Sequence, residues 1–294
     1  MKIEVIKSRK KWLTISGVLV GLSLLLFLFK GLNYGIDFTG GNIFQLEFSE
    51  IITMENVQNE LDDLENKYDF LEARRVQISE DNVLMLRTAV VANEIEEEFL
   101  RDITSAIGNN DILMANKVGA VIGKELQWKA INALLIGSLI IVCYITLRFE
   151  FRFAVGAIAA LLHDVILALG ILALLGLEIN TPFIAAILTI LGYSINDSIV
   201  VFDRIRENLK KMEGKDMGDV ITLSLNQIIT RTINTSLTTL FAIIALLLFG
   251  GATLQTFTAT LLIGVIAGTY SSIFVASPIV YLLEKENKHV LEKK

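Results

Sequence analysis

The sequence predicts a polytopic α-helical membrane protein with six transmembrane helices. It also predicts an α+β ferredoxin-like (βαββαβ) exterior domain between helices 1 and 2. Three observations carry this. Apolar residues, 53% of the 294, gather in long unbroken blocks. Lys and Arg avoid alternate loops. Residues 30–129 switch from continuous apolar runs to strand and amphipathic-helix patterning.

A helix needs about 20 apolar residues to cross the hydrocarbon core of a bilayer. Six blocks meet that length: 12–29, 130–147, 153–175, 181–202, 230–249 and 256–283. Basic residues precede the first block, as in a secretory signal. That block is longer than a usual signal core, and it runs into Lys30-Gly31-Leu32-Asn33-Tyr34 with no small-residue cleavage pattern, so it reads as a retained span. Cys143 lies alone in the second block, so no disulfide forms within the chain, and it reads as a small hydrophobe.

Orientation follows from the basic residues of the short loops. Lys2, Lys7, Arg9, Lys10 and Lys11 precede the first span, and Arg148 and Arg152 flank the turn after the second. Arg204, Arg206, Lys210, Lys211 and Lys215 follow the fourth, and Lys285, Lys288, Lys293 and Lys294 close the chain. Loops 176–180 and 250–255 hold no Lys or Arg. Both termini are therefore expected in the cytoplasm. The expected organisation is a cytoplasmic N-terminus at 1–11, a first span at 12–29, an extracytoplasmic domain at 30–129, a bundle of five spans at 130–283 and a cytoplasmic C-terminus at 284–294. Acidic side chains outnumber basic ones about two to one in 30–129. That balance excludes nucleic acid as a partner there, and the basic loops need no partner beyond anionic lipid.

Within 30–129, residues 42–49 alternate as a strand does, and 53–68 have helical periodicity with Thr53 and Glu55 in the first turn. Runs 73–79 and 83–88 read as strands joined by a tight turn at Glu80-Asp81-Asn82. Residues 91–107 form a second amphipathic helix, and Ile112 to Val118 a last strand. The order is the split βαβ arrangement. With no His, no Cys and no glycine-rich phosphate loop, this domain reads as a binding or lever module. Before it stands Tyr34-Gly35-Ile36-Asp37-Phe38-Thr39-Gly40-Gly41. Gly35, Gly40 and Gly41, with Asp37 between them, read as a hinge that joins span to domain.

Ionisable groups inside spans cost about 2.5–3.5 kcal/mol on insertion scales, so they mark function. Asp197 lies in the fourth span with Tyr193, Ser194 and Ser198 on its face, while Asn196 points elsewhere. Arg231 opens the fifth span, and Arg231, Asn234, Thr235 and Thr238 form one polar face. Asp197 lies roughly 24 Å from the Thr181 end of its helix, and Arg231 roughly 27 Å from the Phe249 end of its own. Similar depth makes an ion pair geometrically possible. His163 and Asp164 sit near the middle of the third span. Their types suit proton handling, since desolvation helps a carboxylate accept a proton and His titrates near neutrality. The alternatives are a static helix-locking salt bridge for Asp197 and Arg231, and a packing role for His163. In the sixth span Thr260, Gly264, Gly268, Ser272 and Ala276 recur every four residues, a small-residue seam for close helix packing.

Five segments make a set: YGIDFTGG (34–41), LHD (162–164), GYSINDSIVVFDRIREN (192–208), RTINTSLTT (231–239) and GTYSSIFVASPIV (268–280). The set resembles the SecF family of bacterial protein-export subunits along the whole chain. The resemblance implies a twelve-span assembly with SecD, similar to resistance–nodulation–division transporters. It implies a cell membrane location, use of an ion gradient (H⁺ or Na⁺, with no other cofactor or metal), and help in drawing exported unfolded polypeptide from the SecYEG channel. It maps the family's ion-coupling Asp and Arg onto Asp197 and Arg231. No enzymatic activity is implied. Rival readings are an intramembrane aspartyl protease using Asp164 and Asp197, a small-molecule half-transporter of the same fold, and a passive scaffold.

Overall fold

The computed structural model describes residues 3–72, 74–78, 82–212 and 214–291. Ala73, Ser79, Glu80 and Asp81 of the expected strand and turn lie outside the described residues, as do Lys2, Lys293 and Lys294. Tyr34–Ile131 forms one compact unit, and the chain before and after it forms the other.

The bundle is built from α1 (Arg9–Lys30), α5 (Ala120–Arg148), α6 (Phe151–Leu175), α7 (Thr181–Lys211), α8 (Met217–Phe249), and α9 (Gln255–Ser271) continued by α10 (Ser277–Leu291). Six helical runs are long and apolar enough to cross a membrane. Each overruns its apolar block, because main-chain hydrogen bonding continues into charged residues past the hydrocarbon edge. Local chemistry sets the ends. Gly176 closes α6 with φ 68°, and the Asn180 side chain accepts the Phe183 N–H at the start of α7. Asp216 caps α8 by accepting from the Gly218 N–H.

The centre of the bundle is α6, α7 and α9, and the small-residue seam explains why they sit so close. A Cβ at Gly264 would lie 2.2 Å from Ile190, and one at Gly268 would lie 3.0 Å from Ser194. The seam's partner is therefore α7 of the same chain, and the two helices run parallel. Between α9 and α10 the helix widens into a π segment, Ser272–Ala276. Pro278 accounts for it: proline has no N–H and its ring clashes with the carbonyl four residues back. The Ser277 hydroxyl donates instead to the Ser272 carbonyl at 3.1 Å. Beyond that point α6 remains in contact. A Cβ at Gly156 of α6 would meet Val280 at 2.9 Å and the Ala276 carbonyl at 3.0 Å.

The other unit begins with β1 (Asn33–Tyr34) and the single turn α2 (Ile36–Thr39). It continues with β2 (Gly41–Phe48), α3 (Met54–Glu65), β3 (Arg75–Ile78), β4 (Val83–Thr88), α4 (Asn93–Ile107) and β5 (Asn110–Val118). A two-residue strand, β6 (Glu178–Ile179), lies in the bundle sequence. The sheet is antiparallel in the order β3-β4-β2-β5, which is the ferredoxin-like order. Phe44, Leu46, Leu84 and Leu86 alternate inward from the central strands onto Val57, Leu61, Phe99 and Ile103 of the two helices. Asn82 takes a positive φ of 55° where the expected turn re-enters β4. A polar tie joins α4 to the chain just past α3: Asp102 of α4 accepts from Lys67 Nζ (2.7 Å) and from the Tyr68 hydroxyl (2.8 Å).

Candidate functional site: a polar cluster among α6, α7 and α9

Asp164 is fully buried. Its Oδ2 accepts from Ser194 Oγ of α7 (2.6 Å) and Ser271 Oγ of α9 (2.8 Å). Its Oδ1 lies 3.0 Å from His163 Nδ1. A typical hydrogen bond contributes about 0.5–1.5 kcal/mol. Three of them, from three helices' worth of side chains, hold Asp164 as an anchor. Gly268 is what lets α9 come near enough for Ser271 to reach. Of the residues the sequence singles out, the structure brings together His163, Asp164 and Ser194.

Asp197 lies one turn beyond Ser194 and is 4% exposed. Its Oδ2 has no hydrogen-bond partner among the described residues, and neither do the buried Ser198 Oγ and Tyr193 hydroxyl on the same helix. A buried carboxylate with an unmatched oxygen is neutralised by a proton, a cation, or a donor that moves in. Asp164 and Asp197 thus have opposite circumstances: one is saturated with donors and the other is not. Asp164 is engaged by His163, Ser194 and Ser271, and among the described residues no hydrogen bond joins it to Asp197 as the two carboxyls of a protease dyad are joined. Ser272, the third seam residue of the site region, is buried against Thr269, donating to its carbonyl at 3.2 Å.

Arg231 departs from the expected ion pair. Among the described residues no ion pair joins it to Asp197. Asn208 donates to Ser224 (2.9 Å) and Arg204 to Gln227 (2.8 Å), which sets α7 and α8 antiparallel. Carried on, that register places Arg231 beside Val200, and the two share a recess of about 410 Å³ with Asp203, Arg204 and Glu207. Asn234 is then the α8 residue level with Asp197. Depth is not the main obstacle, since the two chain-direction estimates differ by only about 3 Å. The rotation of α8 is. Thr232 and Ser236 face inward, Ser236 meeting Thr269 at 2.6 Å, whereas Arg231, Asn234, Thr235 and Thr238 are exposed.

The glycine segment is more tightly built than a free joint. Gly40 and Gly41 have φ of 75° and 136°, a region L side chains rarely enter. A Cβ on Gly41 would lie 2.5 Å from the Thr88 carbonyl oxygen, and one on Gly40 would lie 3.0 Å from Ala120. Gly35 is extended (ψ 170°) and precedes the α2 turn that holds Asp37. Gln127 of α5 donates to the Phe38 carbonyl at 2.8 Å. Gly40, Gly41 and α2 therefore belong to the α+β unit. Gly31, with φ 70°, closes α1 by donating its N–H to the Phe27 carbonyl, and Lys30 Nζ (2.8 Å) and Asn33 Nδ2 (3.1 Å) beside it donate to the Leu174 and Gly176 carbonyls at the end of α6.

Residues 98–286 match the family of the protein export membrane protein SecD/SecF C-terminal region, and residues 25–50 match the SecD/SecF GG motif. The chain belongs to the SecD/SecF family. It is 46% identical to the protein translocase subunit SecF of Sebaldella termitidis over 100% of its own length and 96% of that protein's. With SecF of Haemophilus influenzae it shares 39% identity over 99% of this chain and 89% of that one. Its fold superposes on crystalline SecDF from Thermus thermophilus, a translocon-associated membrane protein, with a TM-score of 0.89 and 36% identity. The alignment covers 97% of this chain but 39% of that SecDF chain. Membership of this family makes the chain a subunit of the Sec translocation machinery. The GG motif coincides with Gly40 and Gly41, the pair whose backbone and packing both exclude a side chain.

Tyr270 and Ser271 of α9 and Ser16 of α1 belong to the same polar region, and the sequence alone does not single them out. The only signal for Tyr270 and Ser271 is the density of hydroxyls in GTYSS, embedded in a span otherwise readable as a packing seam, and Ser16 has none.

Proposed function

We propose that this subunit works with SecD to spend the proton (or sodium) motive force on late steps of polypeptide translocation through SecYEG. In this reading it sits in the bacterial cytoplasmic membrane with both termini inside and the α+β domain outside. Asp197 carries the proposal: a buried carboxylate with an unmatched oxygen, one turn from a carboxylate saturated with donors. Asp164 stays bonded and fixes the helices, while Asp197 takes up and releases the ion. Ser194 and Ser198 flank its path. His163 orients Asp164. Arg231 approaches Asp197 when the ion leaves, by a rotation of α8 that turns its outward face in, together with a displacement of about one helical turn along the axis (roughly 5 Å).

The outward polar stripe of α8 supports a second six-span partner. Arg231, Asn234, Thr235 and Thr238 would be costly against lipid and need protein or water beside them. SecD supplies that cover, and the SecDF chain from Thermus thermophilus is long enough to hold such a second half. One charge crossing 100 mV yields about 2.3 kcal/mol. Helix motion reaches the exterior domain through the chain around Gly31 and Gly35. The test is translocation of a secretory polypeptide into vesicles containing SecYEG, SecD and this subunit, with and without an ion gradient. Asp197→Asn should abolish the gradient-driven increment. An undiminished increment would refute the reading.

A further inference from the structure

α1 is the bundle helix that runs directly into the glycine segment, and one side chain ties it to the Asp164 cluster. The Tyr270 hydroxyl lies 3.0 Å from Ser16 Oγ of α1 and donates to the Trp12 carbonyl at 3.4 Å. Its ring stacks on His163, with centroids 5.8 Å apart and planes 24° from parallel. It also packs on Phe274 at 5.1 Å. The neighbouring residue on each helix completes the arrangement, since Ser271 donates to Asp164 and His163 is bonded to it. Two consecutive pairs therefore meet: Tyr270 with His163, and Ser271 with Asp164. Ser16 is 4% exposed on an otherwise greasy helix, a hydroxyl that needs its partner. Farther along, Gly170 leaves no space between α6 and α1, because a Cβ there would lie 2.3 Å from Ser23 Cβ.

We infer that Tyr270 is a positioning residue that transmits changes at Asp164 to α1 through its hydroxyl bond to Ser16. This rests on the reading that the Asp164–Asp197 region handles the coupling ion. When the helices around Asp164 shift, Ser271 and His163 shift with it. Tyr270, clamped between them and Ser16, carries α1 along. α1 then moves the chain at Gly31 that leads into the α+β domain. Without the hydroxyl bond the aromatic packing remains, but the direction of the push is lost.

The test uses the complex with SecD and SecYEG in vesicles, comparing Tyr270→Phe, Ser16→Ala, the double variant and Asp197→Asn. Tyr270→Phe keeps every ring contact and removes one oxygen. Each single variant should lower the gradient-driven increment about fivefold, the size of one neutral hydrogen bond. Gradient-driven ion uptake and gradient-independent translocation should stay as in the parent, and the melting temperature should fall only slightly and alike in both single variants, as the loss of one buried bond requires. The double variant should be no worse than either single one, since both delete the same bond. A full increment in either single variant, multiplied losses in the double, or an equal fall in gradient-independent translocation would overturn the inference. If Asp197→Asn abolishes the increment while Tyr270→Phe leaves it whole, only the Tyr270 inference falls. If Asp197→Asn also leaves it whole, the coupling reading falls first.

Discussion

Asp164 and Asp197 are both buried aspartates in neighbouring spans, yet they should respond to mutation in opposite ways. Asp164→Ala strands the Ser194 hydroxyl and the His163 Nδ1 that now bond its oxygens, and leaves Ser271 only its 3.3 Å bond to the Gly268 carbonyl. Unmatched buried groups cost about 1–3 kcal/mol each, so a loss of about 3 kcal/mol or more is expected. Asp197→Ala removes a carboxylate whose Oδ2 has no partner, and it should cost less stability while costing all gradient coupling. Thermal unfolding of both variants in one detergent checks the ranking, and a larger drop for Asp197→Ala would reverse the roles. Both aspartates are legible in the sequence, because a charge within an apolar block stands out wherever it lies. The hydroxyls that serve them are not. Ser16, Tyr270 and Ser271 are ordinary in a span until folding sets three helices side by side. Arg231 is half legible: counting residues gives depth along a helix, but not the way its side faces.

The elements make their own predictions, and glycines are the sharpest. Gly264→Leu forces a side chain into Ile190 and should cost about 1–3 kcal/mol by overpacking, read as lower yield of monodisperse protein. Gly41→Ala meets both a positive φ and the Thr88 carbonyl. Strain of that kind costs about 1–3 kcal/mol, and faster hydrogen exchange along β2 and β4 should report it. The tie between α4 and the chain just past α3 is pH-dependent. Hydrogen bonds from Lys67, and then Tyr68, hold the Asp102 carboxyl below its ordinary value of 3.8. A lowered folded-state pKa stabilises above the ordinary value and is lost as pH falls through the lowered one. Melting followed below about pH 4 should fall more steeply for the parent than for Asp102→Asn. Strand alternation and helical periodicity make these elements readable, to within two or three residues at most ends. The exceptions are spans that continue into charged sequence with nothing to break them: α8 begins thirteen residues before its apolar block and α5 ten before, and α7 runs nine past its own to Lys211.

For the molecule as a whole, the outward stripe on α8 is the strongest constraint on its neighbours. Replacing Asn234 and Thr238 together by Leu should make the lone subunit easier to hold in detergent, since both now expose polar groups where hydrocarbon is expected. The same change should weaken copurification with SecD, and undiminished copurification would show that the stripe is covered by something else. Six spans and an inserted α+β domain can be read directly from block lengths and alternation. Which spans form the centre cannot, because α6 and α1 are comparably greasy, and only the small residues of α6 and α9 permit a crowded middle. The π segment before Pro278 has a consequence for this arrangement. One additional residue in a turn rotates all that follows by about 100°. The sixth span can therefore pack its first half between α7, at Gly264 and Gly268, and α6, at Ser271, and still present its second half to Gly156 of α6. A single rod is thus keyed to two neighbours at different angles, and twisting either one must torque the other.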